Sequence, residues 1–269
     1  MSNKKGFALI LCLIFIFGSL PACTPQENKK EQENPMDKEI ETYLKTAKVV
    51  SKEISPEGGR TAPWKVILDD GKVRRKGHFK YIDRTRPSTL PDSYKYDIAA
   101  YELSKLLGLD IIVPVVGREI EGLKGSLQLF IEDCLTETDR KRQSFEPPDP
   151  EQHQKALEEI SVFENLVSDE ECFDSDDTLI ELKDWKVWRV DFSMAFFPVD
   201  ELLPGCKISC CSKKFYQNLQ KLDHKAVKAA LKPYLNKQEI NGLLKRKKII
   251  LDQIKALIEE KGEESVLFS

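Results

Sequence analysis

The segment 97–109 reads DIAAYELSKLLGL, and residues 111–120 continue with IIVPVVGREI. In the first stretch apolar residues recur at i, i+4, i+7 and i+8, namely Ala99, Leu103, Leu106 and Leu107, a spacing that predicts a helix with one buried face. Gly108 follows the last of them, where a helix commonly ends. The second stretch is rich in β-branched residues and predicts a strand directly after the helix.

Strand-forming residues flank this segment on both sides. Residues 49–83 alternate β-formers with turn residues, and Asp70-Gly71 within them is typical of a hairpin. Residues 122–125 are expected to turn the chain into another apolar strand, SLQLFIED at 126–133. The first half of the chain therefore predicts a small sheet crossed by one helix.

Helical periodicity dominates the second half of the chain. We expect a helix at 156–167, a short strand at 185–191, and a long terminal helix defined by apolar residues spaced between Ile240 and Ile258. No internal repeat is visible in the sequence.

Together these elements predict an α+β fold with two lobes. A sheet-rich N-lobe is expected at 38–135, beginning with a short helix at 38–45, and a helical C-lobe at 151–269. The charged, proline-rich residues 136–150 are expected to form the linker between them.

The N-terminus has the three parts of an export signal. Lys4 and Lys5 precede an apolar run at 7–17, and small residues lead from it to Cys23. The run has about half of the roughly 20 residues that a spanning helix needs. LPAC at 20–23 resembles the lipobox of bacterial lipoproteins, which implies cleavage before Cys23 and a diacylglycerol on its sulfur. An ordinary signal peptide that happens to end in a cysteine is the alternative.

The charge and composition of the mature chain limit the classes of ligand and partner that it is expected to bind. Cleavage would remove two lysines, the only charges of the leader, and change the net charge from -3 to -5, so an electrostatic footprint for nucleic acid is not expected. Residues 23–37 are polar enough to predict a disordered tether. We therefore expect an exported lipoprotein, anchored through Cys23 and facing the periplasm or cell exterior. Thr24 in place of an aspartate favours the outer membrane.

Five cysteines remain once Cys12 leaves with the leader and Cys23 carries lipid; they are Cys134, Cys172, Cys206, Cys210 and Cys211. Because five is odd, at least one thiol stays free or pairs outside the chain in an oxidising compartment. A zinc site at the last three would need a fourth ligand, and the nearest histidine is the distant His224. A local disulfide or free thiols are the favoured alternatives.

The order of short motifs carries a family resemblance. They are EGGRT at 57–61, PW at 63–64, FK at 79–80, DIAAYELSKLLGL, VPVV at 113–116, GSLQL at 125–129, VFENL at 162–166 and RVDFSMAF at 189–196. In this order and spacing they resemble an atypical kinase family, the secretory-pathway kinases of the Golgi casein-kinase type and their bacterial relatives. The resemblance covers most of residues 49–248 and implies a bilobal kinase-like fold.

The resemblance implies a nucleotide site. It assigns Gly58 and Gly59 to phosphate contacts through backbone amides, and Lys80 to the phosphates as a point charge. It expects a glutamate on the helix to hold the lysine, and this sequence has the shorter Asp97. Asp191 matches the metal-holding aspartate of kinases. The alternatives without function are a plain glycine turn, a solvated strand-end lysine and a capping aspartate.

The catalytic loop departs most from the resemblance. Residues 168–180 read SDEECFDSDDTLI, where relatives supply a catalytic aspartate, an arginine and then a metal-binding asparagine. Glu171 falls at the position of the aspartate, Cys172 at that of the arginine, and Asp176 or Asp177 at that of the asparagine. A solvated acidic loop without a catalytic role is the alternative.

These observations lead to a functional expectation with rivals from other classes. We expect a divergent kinase-like lipoprotein that uses Mg²⁺ or Mn²⁺ with ATP or another nucleotide to phosphorylate a hydroxyl acceptor. A pseudokinase that binds without turnover is the first rival. A purely structural envelope lipoprotein is the second, because ATP is scarce outside the cytoplasmic membrane.

Overall fold

The computed structural model describes residues 35–55, 62–84, 91–172 and 174–269 of the chain. The elements of the first half, in chain order, are α1 (Pro35–Thr46), β1 (Lys48–Ile54), β2 (Trp64–Asp69), β3 (Arg74–Lys80), β4 (Asp83–Arg84), β5 (Asp92–Ser93), α2 (Tyr94–Leu107), β6 (Val115–Ile120) and β7 (Leu123–Leu129). Strands β1, β2, β3, β7 and β6 form one antiparallel sheet in that spatial order.

The β2–β3 hairpin turns at Asp70-Gly71, as its sequence predicts. The Asp70 carboxylate accepts the N–H groups of Lys72 at 2.9 Å and Val73 at 2.8 Å. Gly71 has φ 87°, a conformation that a residue without a Cβ adopts without strain. This turn sets the register that places Phe79 opposite Trp64 and leaves Lys80 at the end of β3.

The turn expected at 122–125 is shorter than the sequence predicted. β6 and β7 are joined by Glu121 and Gly122 alone, both at positive φ as two-residue hairpins prefer. Gly125 therefore lies inside β7. A Cβ at Gly125 would come within 2.2 Å of the Lys80 carbonyl oxygen, so the glycine permits close strand contact here instead of forming the turn.

Helix α2 forms where the apolar periodicity predicts it. Its N-cap Ser93 accepts the Lys95 N–H, and Gly108 ends it in a left-handed conformation with φ 63°. Leu103 and Leu107 are fully buried, and burial of a leucine stabilises the fold by about 1.5–3 kcal/mol. The helix packs on β6 and β7 of the sheet and on helices of the second half, so it connects the two lobes.

The second half is mainly helical, with a small sheet at its start. Its elements are β8 (Cys134–Thr136), α3 (Glu137–Arg142), α4 (Pro150–Val167), a 3-10 turn (Ser175–Asp177), β9 (Thr178–Glu181), β10 (Val187–Arg189), β11 (Cys211–Ser212), α5 (Lys213–Lys221), α6 (His224–Leu231), α7 (Lys237–Lys261), α8 (Glu263–Val266) and β12 (Leu267–Phe268). Strands β8, β9 and β10 form an antiparallel sheet. Residues 136–150, expected as a linker, contain α3 and the first residue of α4.

Local sequence explains how the long helices begin. Asp149 caps α4, and Pro150 lies in its first turn. A proline is tolerated there because the backbone N–H that it lacks would have no partner within the helix. Asn236 and Glu239 form a reciprocal capping box at the start of α7, the terminal helix that the sequence predicted.

The hydrophobic core has two parts. The smaller lies between α1 and the five-stranded sheet and includes Leu44, Val66, Phe79 and Leu127. The larger joins α2 to the C-terminal helices. Among the residues that the structure covers, we find no helix with both the length and the apolar character needed to cross a membrane.

Candidate functional site

Lys80 is the centre of a charge cluster built from three separate elements. Its Nζ lies 2.6 Å from Asp191 Oδ1 and 3.3 Å from Asp97 Oδ1. β3 supplies the lysine, the first turn of α2 supplies Asp97, and the loop after β10 supplies Asp191. The structure thus brings together three of the side chains that the sequence analysis assigned to a nucleotide and metal site.

Asp97 reaches Lys80 despite its short side chain because it lies deep in the interior. Its side chain is 5% exposed. Oδ1 also accepts the Phe192 N–H at 2.9 Å, and the Ser126 hydroxyl donates to Oδ2 at 3.4 Å. Asp97 therefore ties α2 both to β7 and to the residue directly after Asp191.

Asp191 is held in an uncommon backbone conformation. Its φ is 58°, in the left-handed region that aspartate enters more readily than most residues. Oδ1 accepts the Ser193 N–H at 3.3 Å as well as Lys80 Nζ. The side chain is 37% exposed, far more than those of Lys80 and Asp97. Asp191 is thus the member of the trio most open to a ligand.

Arg189 is the charged residue of the cluster that the sequence analysis did not assign. The side chain is 1% exposed, and its guanidinium faces three carboxylates, those of Glu164, Asp169 and Asp177, at 2.8, 3.2 and 3.6 Å. The 2.8 Å contact from Nε to Glu164 is an ion pair without a well-directed hydrogen bond. A buried arginine requires such partners. One signal was available, because Arg189 interrupts the apolar strand sequence VWRV.

The same guanidinium anchors the acidic loop through its backbone. Nη1 donates to the Asp174 carbonyl and Nη2 to the Glu171 carbonyl, each at 2.9 Å. Asp169 adds a hydrogen bond from the Glu171 N–H to its Oδ1 at 3.2 Å. Cys172 stands where the resemblance expects an arginine. Arg189 of strand β10 holds the loop main chain instead.

The three acidic candidates of the loop occupy different environments. Glu171 is half-buried, and Asp176 is exposed with its carboxylate accepting a long bond of 3.5 Å from Thr136 Oγ1. The Asp177 carboxylate is half-buried, lies 3.6 Å from Arg189 Nη1, and has a pKa that responds to the charges of Asp191 and Lys80. Of the two alternatives for the second metal-binding position, Asp177 is therefore the one that contacts Arg189.

Burial and the neighbouring charges act in opposite directions on the pKa values of the cluster. Burial opposes the charge of Lys80, but Asp191 and Asp97 raise its pKa above the ordinary value. Burial acts to raise the pKa of Asp191, yet Lys80 outweighs it and keeps that pKa low. Burial raises the pKa of Asp97 to about 6 and that of Asp177 to about 8, although Lys80 and Arg189 respectively oppose these shifts.

The donor set fits a hard divalent cation accompanied by phosphate. Five carboxylates surround only two cationic side chains in the cluster. Mg²⁺ is usually bound by one or two carboxylates together with substrate phosphates, and Asp191 and Asp177 would supply that pair. Within the part of the chain that the structure describes, no group of three or more His, Cys, Asp or Glu side chains is arranged to hold a metal.

Three further assigned residues lie outside the described ranges. These are Gly58 and Gly59 of the expected phosphate-binding turn and Cys23 of the expected lipid attachment site.

Comparison with solved structures identifies the fold. The structure of hydra Fam20 with sugar, from the Golgi casein kinase family, matches with a TM-score of 0.67 at 16% identity, over 88% of this chain and 93% of that one. The Helicobacter pylori proinflammatory kinase CtkA matches with a TM-score of 0.50 at 9% identity, over 83% and 99%. This chain has a kinase-like fold. The bilobal α+β architecture predicted from the motif order is confirmed.

Sequence comparisons add nothing to the structural ones. No protein-family model matches the chain, and no curated protein matches it. At such low identity the likeness to the two kinases establishes the fold alone.

Proposed function

We propose that this protein is a membrane-anchored, divergent kinase-like lipoprotein that binds a nucleotide with Mg²⁺ or Mn²⁺ around Lys80, Asp177 and Asp191. The observation that carries the proposal is the buried Lys80, held between Asp97 and Asp191 within a kinase-like fold. A lysine kept charged at a strand end, beside carboxylates in excess, suits a metal–phosphate ligand.

Each residue of the cluster has a role in this proposal. Lys80 would bind phosphate oxygens as a point charge, Asp97 would orient Lys80, and Asp191 with Asp177 would hold the cation. The cation would neutralise phosphate charge when bound. Arg189 touches no ligand in this scheme and acts by positioning the loop.

Phosphoryl transfer to a hydroxyl acceptor would require a general base, and Glu171 is the candidate. Asp169, its acidic neighbour, is fully buried and bound to Arg189, so it cannot meet an acceptor. Glu171 is partly exposed and its main chain is fixed at both N–H and C=O. Acid–base help of this kind contributes about 10²- to 10⁴-fold.

A pseudokinase without turnover is the second candidate. Glu171 and Cys172 stand where the resemblance expects an aspartate and an arginine, and the scarcity of ATP outside the cytoplasmic membrane also favours it. Export and a lipid on Cys23 are part of the proposal, on the sequence grounds of the charged leader and the lipobox-like LPAC. An envelope scaffold that binds no nucleotide is the outcome that would reject both candidates.

The first experiment measures nucleotide binding. The full-length protein in detergent is titrated with ATP, with and without Mn²⁺, by calorimetry or a fluorescent analogue. Lys80→Met should weaken metal-dependent binding about 10- to 100-fold, since charged hydrogen bonds contribute about 1.5–3 kcal/mol. Lys76→Met is the matched control, because Lys76 lies on the same strand and pairs at the surface with Glu132. Equal effects of the two variants would contradict the assigned site.

The second experiment separates the two candidates. Transfer of phosphate from labelled ATP to a generic protein acceptor is compared for wild type and Glu171→Gln. Transfer that falls at least 10²-fold in Glu171→Gln, with binding retained, would support catalysis with Glu171 as base. Binding without transfer in the wild type would support the pseudokinase, and transfer that survives the substitution would remove Glu171 from its role.

A further inference from the structure

The segment that contains α6 carries a run of positive charge in an acidic chain. Residues 221–237 contain five lysines and a single acidic residue, Asp223, whereas the whole chain has a net charge of -3. The Asp223 carboxylate caps α6 by accepting the Ala226 N–H at 2.7 Å. The run is therefore basic, in contrast with the chain as a whole.

Three of these lysines share one side of α6. Lys225, Lys228 and Lys232 are spaced i, i+3 and i+7, which places them on the same side of the helix. All three are exposed. Val227 and Leu231, on the opposite side, are fully buried and hold α6 against the larger core.

Lys237 adds a fourth exposed charge at the start of α7. We call Lys225, Lys228, Lys232 and Lys237 the basic face. Lys76 shows that an exposed lysine of this chain can pair with a carboxylate, but among the described residues none of these four forms an ion pair.

The charges of the basic face do not serve the helices that carry them. Lys225 lies in the first turn of α6 and Lys237 in the first turn of α7, and neither turn of α6 nor its cap offsets the run of lysines. A cation at a helix N-terminus is disfavoured by the helix dipole, and like charges one turn apart repel each other. Helix stability therefore gives no reason for these lysines, whereas an anionic partner would.

The turn between Lys232 and Lys237 is close to α1. Helix α6 packs against α2, and Lys105 of α2 has its Nζ 2.8 Å from the Glu41 carboxylate of α1. Within the turn, burial raises the pKa of Tyr234, and the charges of Glu102, Lys105 and Glu41 also act on it. The basic face is thus near the helix into which the expected tether leads.

We propose that the basic face binds an anionic phospholipid surface through its four ammonium groups. Lysine binds phosphate groups as a point charge, and phospholipid headgroups present phosphates across the membrane plane. Each lysine close to an anionic membrane strengthens binding about 5-fold, and clusters of about four to eight basic residues are typical of such recognition. The basic face has the lower number, on a helix held rigidly by its buried side.

A membrane is the favoured occupant because the proposed anchor would keep one within reach, so this step rests on the proposed lipid at Cys23. The chain from Cys23 to Pro35 spans at most about 40 Å when fully extended. Charges in salt solution interact over about 10 Å, a distance that the tethered domain would cross repeatedly. A lipid on a tether leaves the domain able to rotate, whereas the basic face would hold one side of the C-lobe against the membrane.

Chemical footprinting of the full-length protein tests the contact. The protein is reconstituted into vesicles of phosphatidylcholine alone, or of phosphatidylcholine mixed equally with phosphatidylglycerol, and its lysines are acetylated briefly and mapped by mass spectrometry. Acetylation of the basic face should be about 10-fold slower on the vesicles with phosphatidylglycerol. High salt should remove this protection, because it screens exposed charges. Lys124, an exposed lysine of β7, should react equally on both.

A triple variant tests whether the lysines act together. The variant combines Lys225→Gln, Lys228→Gln and Lys232→Gln and keeps Lys237 as the reporter. Protection of Lys237 should fall to about 2-fold or less, because three of the four charges are gone. The matched control removes the same charge from three exposed lysines of other elements, as Lys72→Gln, Lys124→Gln and Lys183→Gln. It should keep the full protection of the basic face.

The outcomes separate this proposal from the lipid anchor. Equal acetylation of the basic face on the two kinds of vesicle, or protection that the control variant loses as well, would overturn it. Protection by soluble polyglutamate but not by phosphatidylglycerol would also overturn it, in favour of an acidic polypeptide partner. Flotation with phosphatidylglycerol vesicles but not with phosphatidylcholine vesicles, lost in the triple variant, would reject the anchor and still support the basic face.

Discussion

Arg189→Met tests whether one buried arginine organises the acidic loop. Methionine keeps a long apolar stem but leaves Glu164 and Asp169, 4% and 0% exposed, without the guanidinium that compensates them. Removing one partner of a buried ion pair destabilises a protein by about 3–5 kcal/mol. Two carbonyl acceptors in the loop lose their donor as well. We therefore expect a loss of about 3–5 kcal/mol at pH 7.

Protonation of Glu164 and Asp169, left without Arg189, makes this loss of stability depend on pH. A buried carboxyl can escape its charge by binding a proton, which costs about 4 kcal/mol at pH 7 for a glutamate of ordinary pKa in the unfolded chain, and about 2 kcal/mol less at pH 5.5. The folded variant then binds more protons than the unfolded one, so its stability falls as pH rises. Burial already raises the pKa values of Glu164 and Asp169 in the wild type, against the effect of Arg189, so part of this protonation is common to both proteins. The loss should therefore be smaller at pH 5.5 than at pH 7, by at most about 2 kcal/mol.

Urea unfolding followed by circular dichroism at the two pH values measures both quantities. Arg246→Met is the matched control, because Arg246 is equally buried but donates to the carbonyls of Leu166, Phe197 and Val199. Carbonyl oxygens do not bind protons in this range, so the part of the control loss that comes from these three bonds should be the same at both pH values. A loss below about 1 kcal/mol for Arg189→Met at pH 7, or one independent of pH, would refute the reasoning.

Three further predictions concern the site and its attachment. Gly125→Ala should destabilise by about 1–3 kcal/mol in thermal melts and weaken nucleotide binding, because its Cβ meets the Lys80 carbonyl at 2.2 Å. Gly117→Ala, whose nearest contact is 3.5 Å, should change little, and equal losses would disprove the steric argument. Asp97→Asn should destabilise by about 1.5–3 kcal/mol in urea, since the charge facing Lys80 is lost; a neutral result would mean that Asp191 alone holds the lysine. Cys23→Ser should abolish lipid attachment, as judged by mass spectrometry of the membrane-purified protein, and an unmodified wild-type Cys23 would reject the anchor.

Apart from Asp97 on α2, the departures from the kinase pattern are concentrated in one loop. Cys172 replaces an expected arginine, while Arg189, the last residue of β10, donates two hydrogen bonds to the loop main chain. The loop main chain is therefore anchored although Cys172 stands in place of the arginine. What remains altered is the candidate base, where Glu171 extends about one methylene further than an aspartate would.

Much of the fold was predictable because it depends on neighbours in the sequence. The spacing of apolar residues in 97–109 predicted α2, and Asp70-Gly71 predicted the β2–β3 turn, since helix periodicity and turn chemistry act within a few residues. The same local reasoning misplaced the next turn. Gly125 seemed to belong to it, although the glycine serves a contact with β3, which is distant in the sequence.

Within the site, the sequence by itself determined which residue types were available, and the tertiary structure decided which of them meet. The motif order singled out Lys80, Asp97 and Asp191, but Lys80 and Asp191 are 111 positions apart, and only packing of the lobes brings them to 2.6 Å. The contacts of Arg189 with the carboxylates of Glu164, Asp169 and Asp177 were equally hidden. Charges interact through distance in space, and the spacing of residues along a chain leaves that distance undetermined until the core has formed.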